Sequence, residues 1–248
     1  SSNGASMELS VIVPVKNEQE NILPLLEEIR AALEGRSDYE VIYINDGSTD
    51  ATPAVLAQAR QTFPRLRVLT HVQSCGQSAA VMSGVRAARG EWIATLDGDG
   101  QNDPADIPNL LAVARDPAQP KNLQLIAGWR KQRKDTWLKR LSSRIANGVR
   151  SRMLGDATPD TGCGLKLIPR AVYLQLQFFN HMHRFLPALV RRNGGATISV
   201  EVHHRPRTRG VSNYGLHNRL WVGIVDIFGV MWLQRRMKLP QVSEAARA

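Results

Sequence analysis

The 248-residue chain carries 32 Lys and Arg against 22 Asp and Glu, a formal charge of +10, and 43% hydrophobic residues. That composition can fill an ordinary core and excludes a largely disordered chain, and the length suits one large α/β domain or a domain with a modest appendage. Cys75 and Cys163 are the only cysteines, too few for a disulfide framework or a cysteine quartet, which points to a reducing, cytoplasmic compartment.

Ser1–Ser6 is small and polar, has no signal pattern and reads as an appended leader, with Met7 as the native start. Leu9–Val15 is a short buried-strand run. A helical pattern follows over Glu18–Leu33, with Ile22, Leu25, Leu26, Ile29 and Leu33 on one side. Tyr39–Asn45 reads as a strand, and Ser48 and Asp50 supply capping chemistry for a helix to about Arg60. Leu66–Thr70, Trp92–Asp97 and Leu123–Gly128 read as strands, with Gln77–Ala88 and Asp106–Ala114 as the helices between them. This alternation predicts a mainly parallel sheet with crossovers.

After Gly128 the rhythm changes. A basic helix over Thr136–Leu154 leads to a glycine-rich turn at Thr161–Gly164, an apolar Leu165–Ile168, a helix to about Arg192 and a strand at Ala196–His203. Arg205–Tyr214 reads as a mobile loop before a terminal amphipathic helix. No run reaches the ~18–20 apolar residues of a membrane span. In the terminal helix Trp221, Ile224, Val225, Phe228, Met231 and Trp232 recur at helical spacing, with Arg219, Arg235 and Arg236 near the ends. Such a helix fits a headgroup interface, and equally a face packed on the core or on a partner subunit.

The charge is unevenly placed. Arg130, Lys131, Arg133, Lys134, Lys139, Arg140, Arg144, Arg150 and Arg152 face Asp135 alone, whereas the acidic residues gather in the first half. A basic surface of this kind attracts phosphate on a nucleic acid, an anionic lipid or a substrate. His181, His183, His203 and His204 lack cysteine or carboxylate companions at ligand spacing and read as structural.

The densest chemistry is Asp97-Gly98-Asp99-Gly100-Gln101 at the end of the fourth predicted strand. Carboxylates two residues apart point the same way and suit Mg²⁺ or Mn²⁺ gripping a diphosphate, while the glycines admit close backbone approach. A solvated turn would explain this motif by itself. Lys16-Asn17-Glu18 and Asn45-Asp46-Gly47-Ser48-Thr49-Asp50, however, end the first two strands, so all three acidic loops share one rim. In open α/β sheets that is the ligand-binding edge.

In their order and spacing, "VIVPVKNE", "NDGSTD", "GQSAAVMSG" and "DGDGQNDP" resemble the family 2 glycosyltransferases, and more closely the dolichol-phosphate mannosyltransferase and bacterial polyprenyl-phosphate glycosyltransferase group. The resemblance runs from about Leu9 to Arg170. It implies a GT-A (Rossmann-like) α/β fold, a mainly parallel sheet flanked by helices with a C-terminal amphipathic helical extension. Residues 7–204 would form the catalytic domain and 205–248 an acceptor-loop and membrane-facing segment.

It implies that Pro14, Lys16, Glu18, Asp46, Asp97 and Gly98 bind the nucleotide sugar, and that Asp97, Asp99 and Gln101 hold Mg²⁺ or Mn²⁺. Asp99, Arg130 and Arg140 would be catalytic. Arg130, Lys139, Arg140, Ser143 and Arg144 would meet the acceptor phosphate, with Lys139 and Arg140 as alternatives for one position. Asp160-Thr161-Gly162-Cys163-Gly164 matches the family's Asp…Ser-Gly turn. Arg209, Ser212 and Tyr214 lie in the family's acceptor-loop segment, which is expected to order with substrate. The sequence departs from the pattern at Asn45, where aspartate is commoner, at Ser74-Cys75-Gly76 in place of Asn-x-Gly, and in lacking the paired C-terminal transmembrane helices of many relatives.

Transfer to a hydroxyl needs a general base. The Glu-Asp base and Gln-x-x-Arg-Trp of relatives that do so are missing, whereas a phosphate acceptor is already ionised and needs only positioning by guanidiniums. The expected activity is therefore inverting, single-displacement transfer from a UDP- or GDP-linked sugar to a polyprenyl (dolichyl or undecaprenyl) phosphate. The lipid-linked product would serve cell-envelope glycan or lipopolysaccharide modification, made peripherally at the cytoplasmic face of the inner or plasma membrane. An oligomer is compatible with the sequence. The alternatives are a hydroxyl acceptor and a basic nucleic-acid-binding protein; the latter leaves the acidic rim unexplained, so no nucleic acid is expected.

Overall fold

The computed structural model describes residues 6–131, 137–155, 162–211, 217–238 and 240. The first five strands are β1 (Leu9–Val15), β2 (Tyr39–Asp46), β3 (Leu66–His71), β4 (Trp92–Thr95) and β5 (Leu123–Arg130), followed by β6 (Lys166–Pro169) and β7 (Ala196–Val202). The intervening helices are α1 (Ile22–Leu33), α2 (Thr52–Thr62), α3 (Gln77–Ala87), α4 (Ile107–Arg115), α5 (Trp137–Leu154), α6 (Arg170–Gln175), α7 (Leu186–Arg192) and α8 (His217–Arg236).

The strands form one sheet in the order β3-β2-β1-β4-β6-β5-β7. Only β6 runs antiparallel to its neighbours, β4 and β5. The expected mainly parallel sheet is present, and the apolar Leu165–Ile168 supplies its one reversed strand. The chain winds outward from β1 through β2 to β3, then returns to place β4 on the other side of β1. The crevice between β1 and β4 is thus a topological switch point, and the carboxyl ends of β1, β2, β4, β5 and β7 share one rim.

Every residue of β2 is buried because both faces of the sheet are covered. Val11, Val13, Val41 and Tyr43 pack with α1, α2 and α4 on one face. Ile12, Ile42 and Ile44 pack with α3, α6 and α7 on the other, where Val230 of α8 joins them. The apolar residues of α8 lie on two sides: Val230 is buried, whereas Val225, Phe228 and Trp232 are exposed. Gln234 also donates to Leu154 O of α5 at 3.1 Å.

Three boundaries move for local reasons. α1 starts at Ile22 instead of Glu18 because Asn17 takes a left-handed φ of 54°. The Asn17 and Glu18 amides donate to Ser48 Oγ and Thr52 Oγ1, binding residues 17–18 into the loop after β2. The helix expected to run to Arg192 breaks after Gln175, since Leu176 is extended and His181 has a φ of 66°. Arg205–Val211, read as a mobile loop, is instead fastened by main-chain and side-chain bonds, beginning with a bridge between Asn102 and His204.

Gly90, in the turn before β4, sits against the β1 backbone, donating to Ser10 Oγ at 2.9 Å. A Cβ there would lie 2.5 Å from Ser10 N and 2.6 Å from Leu9 C, main-chain atoms that cannot swing aside. Gly90→Ala is therefore expected to destabilise the fold by about 1–3 kcal/mol, read as a lower urea midpoint at unchanged slope.

Candidate functional site

The three acidic loops do converge. Pro14 sits in β1 opposite Ile44 of β2, and Lys16, Glu18, Asp46 and Asp97 follow from the carboxyl ends of their strands. The turn after β4 lies flat against β1: a Cβ on Gly98 would come within 2.5 Å of Val15 Cγ1 and 3.1 Å of Pro14 O. The turn is set by its own side chains, with Asp97 N donating to Asn102 Oδ1 and Gln101 N to Asp99 Oδ1, each at 3.0 Å. A Cβ on Gly164 would lie 2.3 Å from the Asp97 carboxylate, so only glycine there leaves room for that carboxylate.

Asp97 and Asp46 are opposites electrostatically. Burial, and then repulsion by Asp99, push the Asp97 carboxyl up to about 6; Lys166, Arg130 and a 3.1 Å bond from Gln77 Nε2 only partly offset this. For Asp46, burial acts upward, but donation from Cys75 N, His71, Ser74 and Gly76 N prevails and holds the group below its ordinary value. Oδ1 accepts from Cys75 N and His71 Nδ1 at 2.8 Å, and Oδ2 from Ser74 Oγ and Gly76 N at 3.0 Å. Four donors fill the lone-pair sites of a carboxylate. A nucleoside reaching Asp46 must therefore displace one of them, Ser74 Oγ being the least constrained.

Glu18 is buried and meets a residue outside the sequence-derived site. Arg207, on the segment after β7, grips Glu18 with Nη2 2.8 Å from Oε1 and Nη1 3.2 Å from Oε2, and its Nη2 lies 3.9 Å from Asp99 Oδ2. Asn21 Nδ2 donates to Glu18 Oε2 at 2.7 Å and to Arg209 O at 3.2 Å. Arg205 donates to Gly100 O at 3.0 Å, Asn102 O at 3.1 Å and Glu28 Oε2 at 2.7 Å. The segment thereby closes over the Asp97–Gln101 turn, leaving a cavity of about 240 Å³ against α1 lined by Asn21, Glu28, Gly100 and Arg209 among others.

Arg130 ends β5 on the same rim and is close enough to lower the Asp97 carboxyl. Arg144 is exposed on α5. The side chains of Lys139, Arg140 and Ser143, and the whole of Asp160, Thr161, Ser212 and Tyr214, lie outside the described residues. Arg150 binds Arg184 O at 2.7 Å and stacks 5.5 Å from the Phe185 ring, so part of the basic run serves packing. Lys16 Nζ donates to Ser74 Oγ at 3.2 Å.

Sequence reasoning missed Gln77, Lys166 and Arg207. Lys166 is buried and donates to Cys163 O at 2.6 Å, a charge that only the reversed strand brings to Asp97. Two of the histidines expected to be structural bond within the fold, and His203 also lies beside Asp103 and Asp106 in a group that could hold a metal. His203 holds Asp106 through its main-chain N at 2.8 Å and its Nδ1 at 2.9 Å. His183 bonds Ser78 Oγ at 2.7 Å, and burial, then Lys166, Arg184 and His181, pull its ring down to about 3, so it is neutral.

Among the described residues, metal-ligating side chains gather in threes or more at Asp46–His71–Cys75 and at Asp103–Asp106–His203. Asp97 and Asp99 are two partly buried carboxylates, the first of them undercompensated. That donor set fits a hard divalent cation whose remaining ligands are water and substrate oxygens.

A twisted, mostly parallel sheet whose switch-point rim presents paired carboxylates beside cationic side chains defines an α/β enzyme acting on phosphorylated substrates. The chain belongs to the glycosyl transferase family 2, whose model matches residues 10–176. It is 38% identical to a dodecaprenyl-phosphate galacturonate synthase of Rhizobium johnstonii over 95% of this chain and 70% of that one. It is 33% identical to an undecaprenyl-phosphate 4-deoxy-4-formamido-L-arabinose transferase of Edwardsiella ictaluri over 84% of this chain, spanning 63% of that relative. The fold matches glucosyl-3-phosphoglycerate synthase of Mycobacterium tuberculosis, solved with Mn²⁺, uridine diphosphate and phosphoglyceric acid. The TM-score is 0.69 at 19% identity, covering 94% of this chain and 80% of that one.

The Asp97 carboxyl titrates near 3.8 unfolded and about 6 folded. Its contribution favours the fold fully below the lower value and is lost as the pH rises through the upper one, a cost on the order of 3 kcal/mol at neutrality. Asp97→Asn is therefore expected to stabilise the metal-free protein by about 1–3 kcal/mol at pH 8 while abolishing transfer, with the stability gain largely gone at pH 4. Denaturant titrations at the two pH values check the sign. Equal stability at pH 8 would mean the carboxylate is already compensated.

Proposed function

We propose that this glycosyltransferase moves a sugar from a nucleoside-diphosphate sugar onto a polyprenyl phosphate, inverting the anomeric centre in one displacement. The observation that carries the reading is the meeting, on one rim, of the Asp97–Asp99 pair with the cations of Arg130, Lys166 and Arg207. The relatives named for dodecaprenyl- and undecaprenyl-phosphate transfer support the acceptor class.

In this reading Pro14, Lys16, Glu18, Asp46 and Gly98 border the nucleotide, and Asp97, Asp99 and Gln101 hold Mg²⁺ or Mn²⁺ against its diphosphate. When bound, the cation supplies charge neutralisation on the departing diphosphate. Arg130, with Arg140 or Lys139, Ser143 and Arg144, orients the acceptor phosphate, whose own oxygen is the nucleophile and needs no proton removed. That oxygen bonds to the anomeric carbon as the bond from that carbon to the diphosphate oxygen breaks, and the electron pair leaves with the nucleoside diphosphate. Fixed guanidiniums aimed at charge that develops in the transition state are the dominant contribution such a site can make.

The unit boundaries proposed are 7–204 for catalysis and 205–248 for the acceptor loop and membrane-facing segment. Trp137, Leu141, Ile145 and Val149 recur every fourth residue along α5 and are all exposed, as are Val225, Phe228 and Trp232 of α8. Exposed apolar stripes beside basic residues suit the boundary between headgroups and acyl chains. No described helix is long and apolar enough to cross a membrane. A peripheral position on the cytoplasmic face follows if the donor is a cytoplasmic nucleotide sugar.

A panel of radiolabelled GDP-mannose, UDP-glucose, UDP-galacturonate and UDP-N-acetylhexosamines with undecaprenyl phosphate and Mn²⁺ tests the reading. Wild type should give lipid-linked product with at least one donor, and Asp99→Ala and Arg130→Ala, shown folded by circular dichroism, should lose it by about 100-fold or more. Product on a hydroxyl acceptor alone would remove the lipid-phosphate assignment.

Arg207 is expected to matter through geometry as well as charge. Arg207→Ala should lower kcat/KM by about 10–100-fold, and Arg207→Lys should recover only part of it because the ammonium cannot reproduce the two-pronged grip on Glu18. Wild-type kinetics in Arg207→Ala would exclude it from the donor site.

A further inference from the structure

We propose that Asp46, His71 and Cys75 form a second metal site, distinct from the Asp97–Asp99 turn, that takes a thiophilic divalent ion such as Zn²⁺ and thereby shuts the nucleoside end of the donor pocket. The shutting clause rests on the function proposed above; the metal site does not. One carboxylate oxygen, one imidazole nitrogen and one thiol sulfur lie within 4.8 Å of one another. Zn²⁺ binds these three ligand types at about 2.0–2.3 Å, so modest side-chain rotation closes the set, with water at the fourth position.

Two of the ligands are held by the sheet. Asp46 and His71 are register partners at the adjoining carboxyl ends of β2 and β3. Sites built on strands are better fixed than sites built on loops. His71 also has the outer partner that a ligating imidazole needs, its Nε2 lying 2.8 Å from Ser83 Oγ of α3. Nδ1 faces the Asp46 carboxylate, which can only accept, and Nε2 faces Ser83 Oγ. On binding, the ring proton sits on Nε2 and donates to Ser83 Oγ, which frees the Nδ1 lone pair for the ion.

Cys75 completes the set from the open side. Its thiol is exposed and held only by a 3.3 Å contact to Gln73 O, whereas the other cysteine, Cys163, is fully buried. The thiol proton passes to solvent, so thiolate, carboxylate and neutral imidazole balance the ion's two positive charges. Hard Mg²⁺ and Mn²⁺ favour oxygen ligands and have no comparable reason to settle on sulfur and nitrogen, so the two sites sort cations by softness. An ion here occupies Asp46 Oδ1 and the space beside Cys75, where a nucleoside reaching Asp46 would lie.

The test uses the full chain without an affinity tag. Titration with Co²⁺ should produce a thiolate-to-cobalt charge-transfer band that saturates at a single equivalent and is displaced by Zn²⁺. Cys75→Ser should abolish the band, and Ser83→Ala should weaken Zn²⁺ affinity by about 10-fold or more. Because Cys75 is exposed, Cys75→Ser is expected to fold, and its melting curve verifies this. In transfer assays at saturating Mg²⁺, Zn²⁺ should inhibit wild type competitively with donor, and Cys75→Ser should resist it at least 10-fold relative to its own rate without Zn²⁺. No thiolate band, or Zn²⁺ binding unchanged in Cys75→Ser, overturns the site. A band lost in Cys75→Ser without donor-competitive inhibition upholds the site and removes the placement of the nucleoside at Asp46.

Discussion

The constraint on which the rest of this site depends is the desolvation of Asp97 at the end of β4, sharpened by repulsion from Asp99. A buried carboxylate beside a second carboxylate is unfavourable in the absence of a cation, and the fold reduces that cost without removing it. Lys166 approaches on the reversed strand, Arg130 from the end of β5, and Arg207 from the segment after β7. Each comes from a different part of the chain, so the catalytic end of the sheet is neutralised by convergence of distant segments. Full compensation would leave no affinity for an incoming ion. The residual imbalance is what suits the turn to the cation proposed for it, at the expense of stability.

The reversed strand has a specific part in this. Had β6 run parallel, its carboxyl end and not Lys166 at its start would face the rim. Because it runs antiparallel between β4 and β5, the Cys163–Lys166 segment enters the sheet on the ligand-binding edge. Gly164 then lies against the Asp97 carboxylate, and Lys166 places its stem in the core and its charge near Asp97. A change in strand direction is thus converted into an electrostatic contact.

What was legible in the sequence follows the range of the interactions involved. Strands β1 to β5 and the acidic rim are written in local apolar periodicity and in motifs adjoining strand ends, and their positions match the expectation closely. Two of the three main boundary shifts trace to tertiary bonds: Asn17 and Glu18 are drawn into the β2 loop by Ser48 and Thr52, and Arg205 and Arg207 fasten a segment whose composition reads as a loop. Arg207 stood within a long run of arginines, and no local pattern separates it from Arg209 or Arg205. Only the close packing of its segment on Asn21 and Gly100 distinguishes it. Lys166 offered no signal either, since an isolated lysine in an apolar run reads as an edge residue until its neighbours are known.

Asp46 and Asp97 show that the residue type at a motif position does not fix its role. Both are aspartates at the carboxyl ends of strands that flank β1 in one sheet and face one rim. Asp46 is saturated by four donors and anchors the loop from Ser74 to Gly76, the stretch in which this chain departs from the usual Asn-x-Gly. Asp97 accepts from the Gln77 side chain and stays short of positive charge. The difference arises from the start of α3, the helix between β3 and β4. The α3 amino end, beginning at Gln77, turns its preceding backbone amides towards Asp46 and only one side chain towards Asp97. One short loop therefore organises both ends of the rim, saturating Asp46 at one end and leaving Asp97 short of donors at the other, and a change at Ser74 or Gly76 should be felt at both.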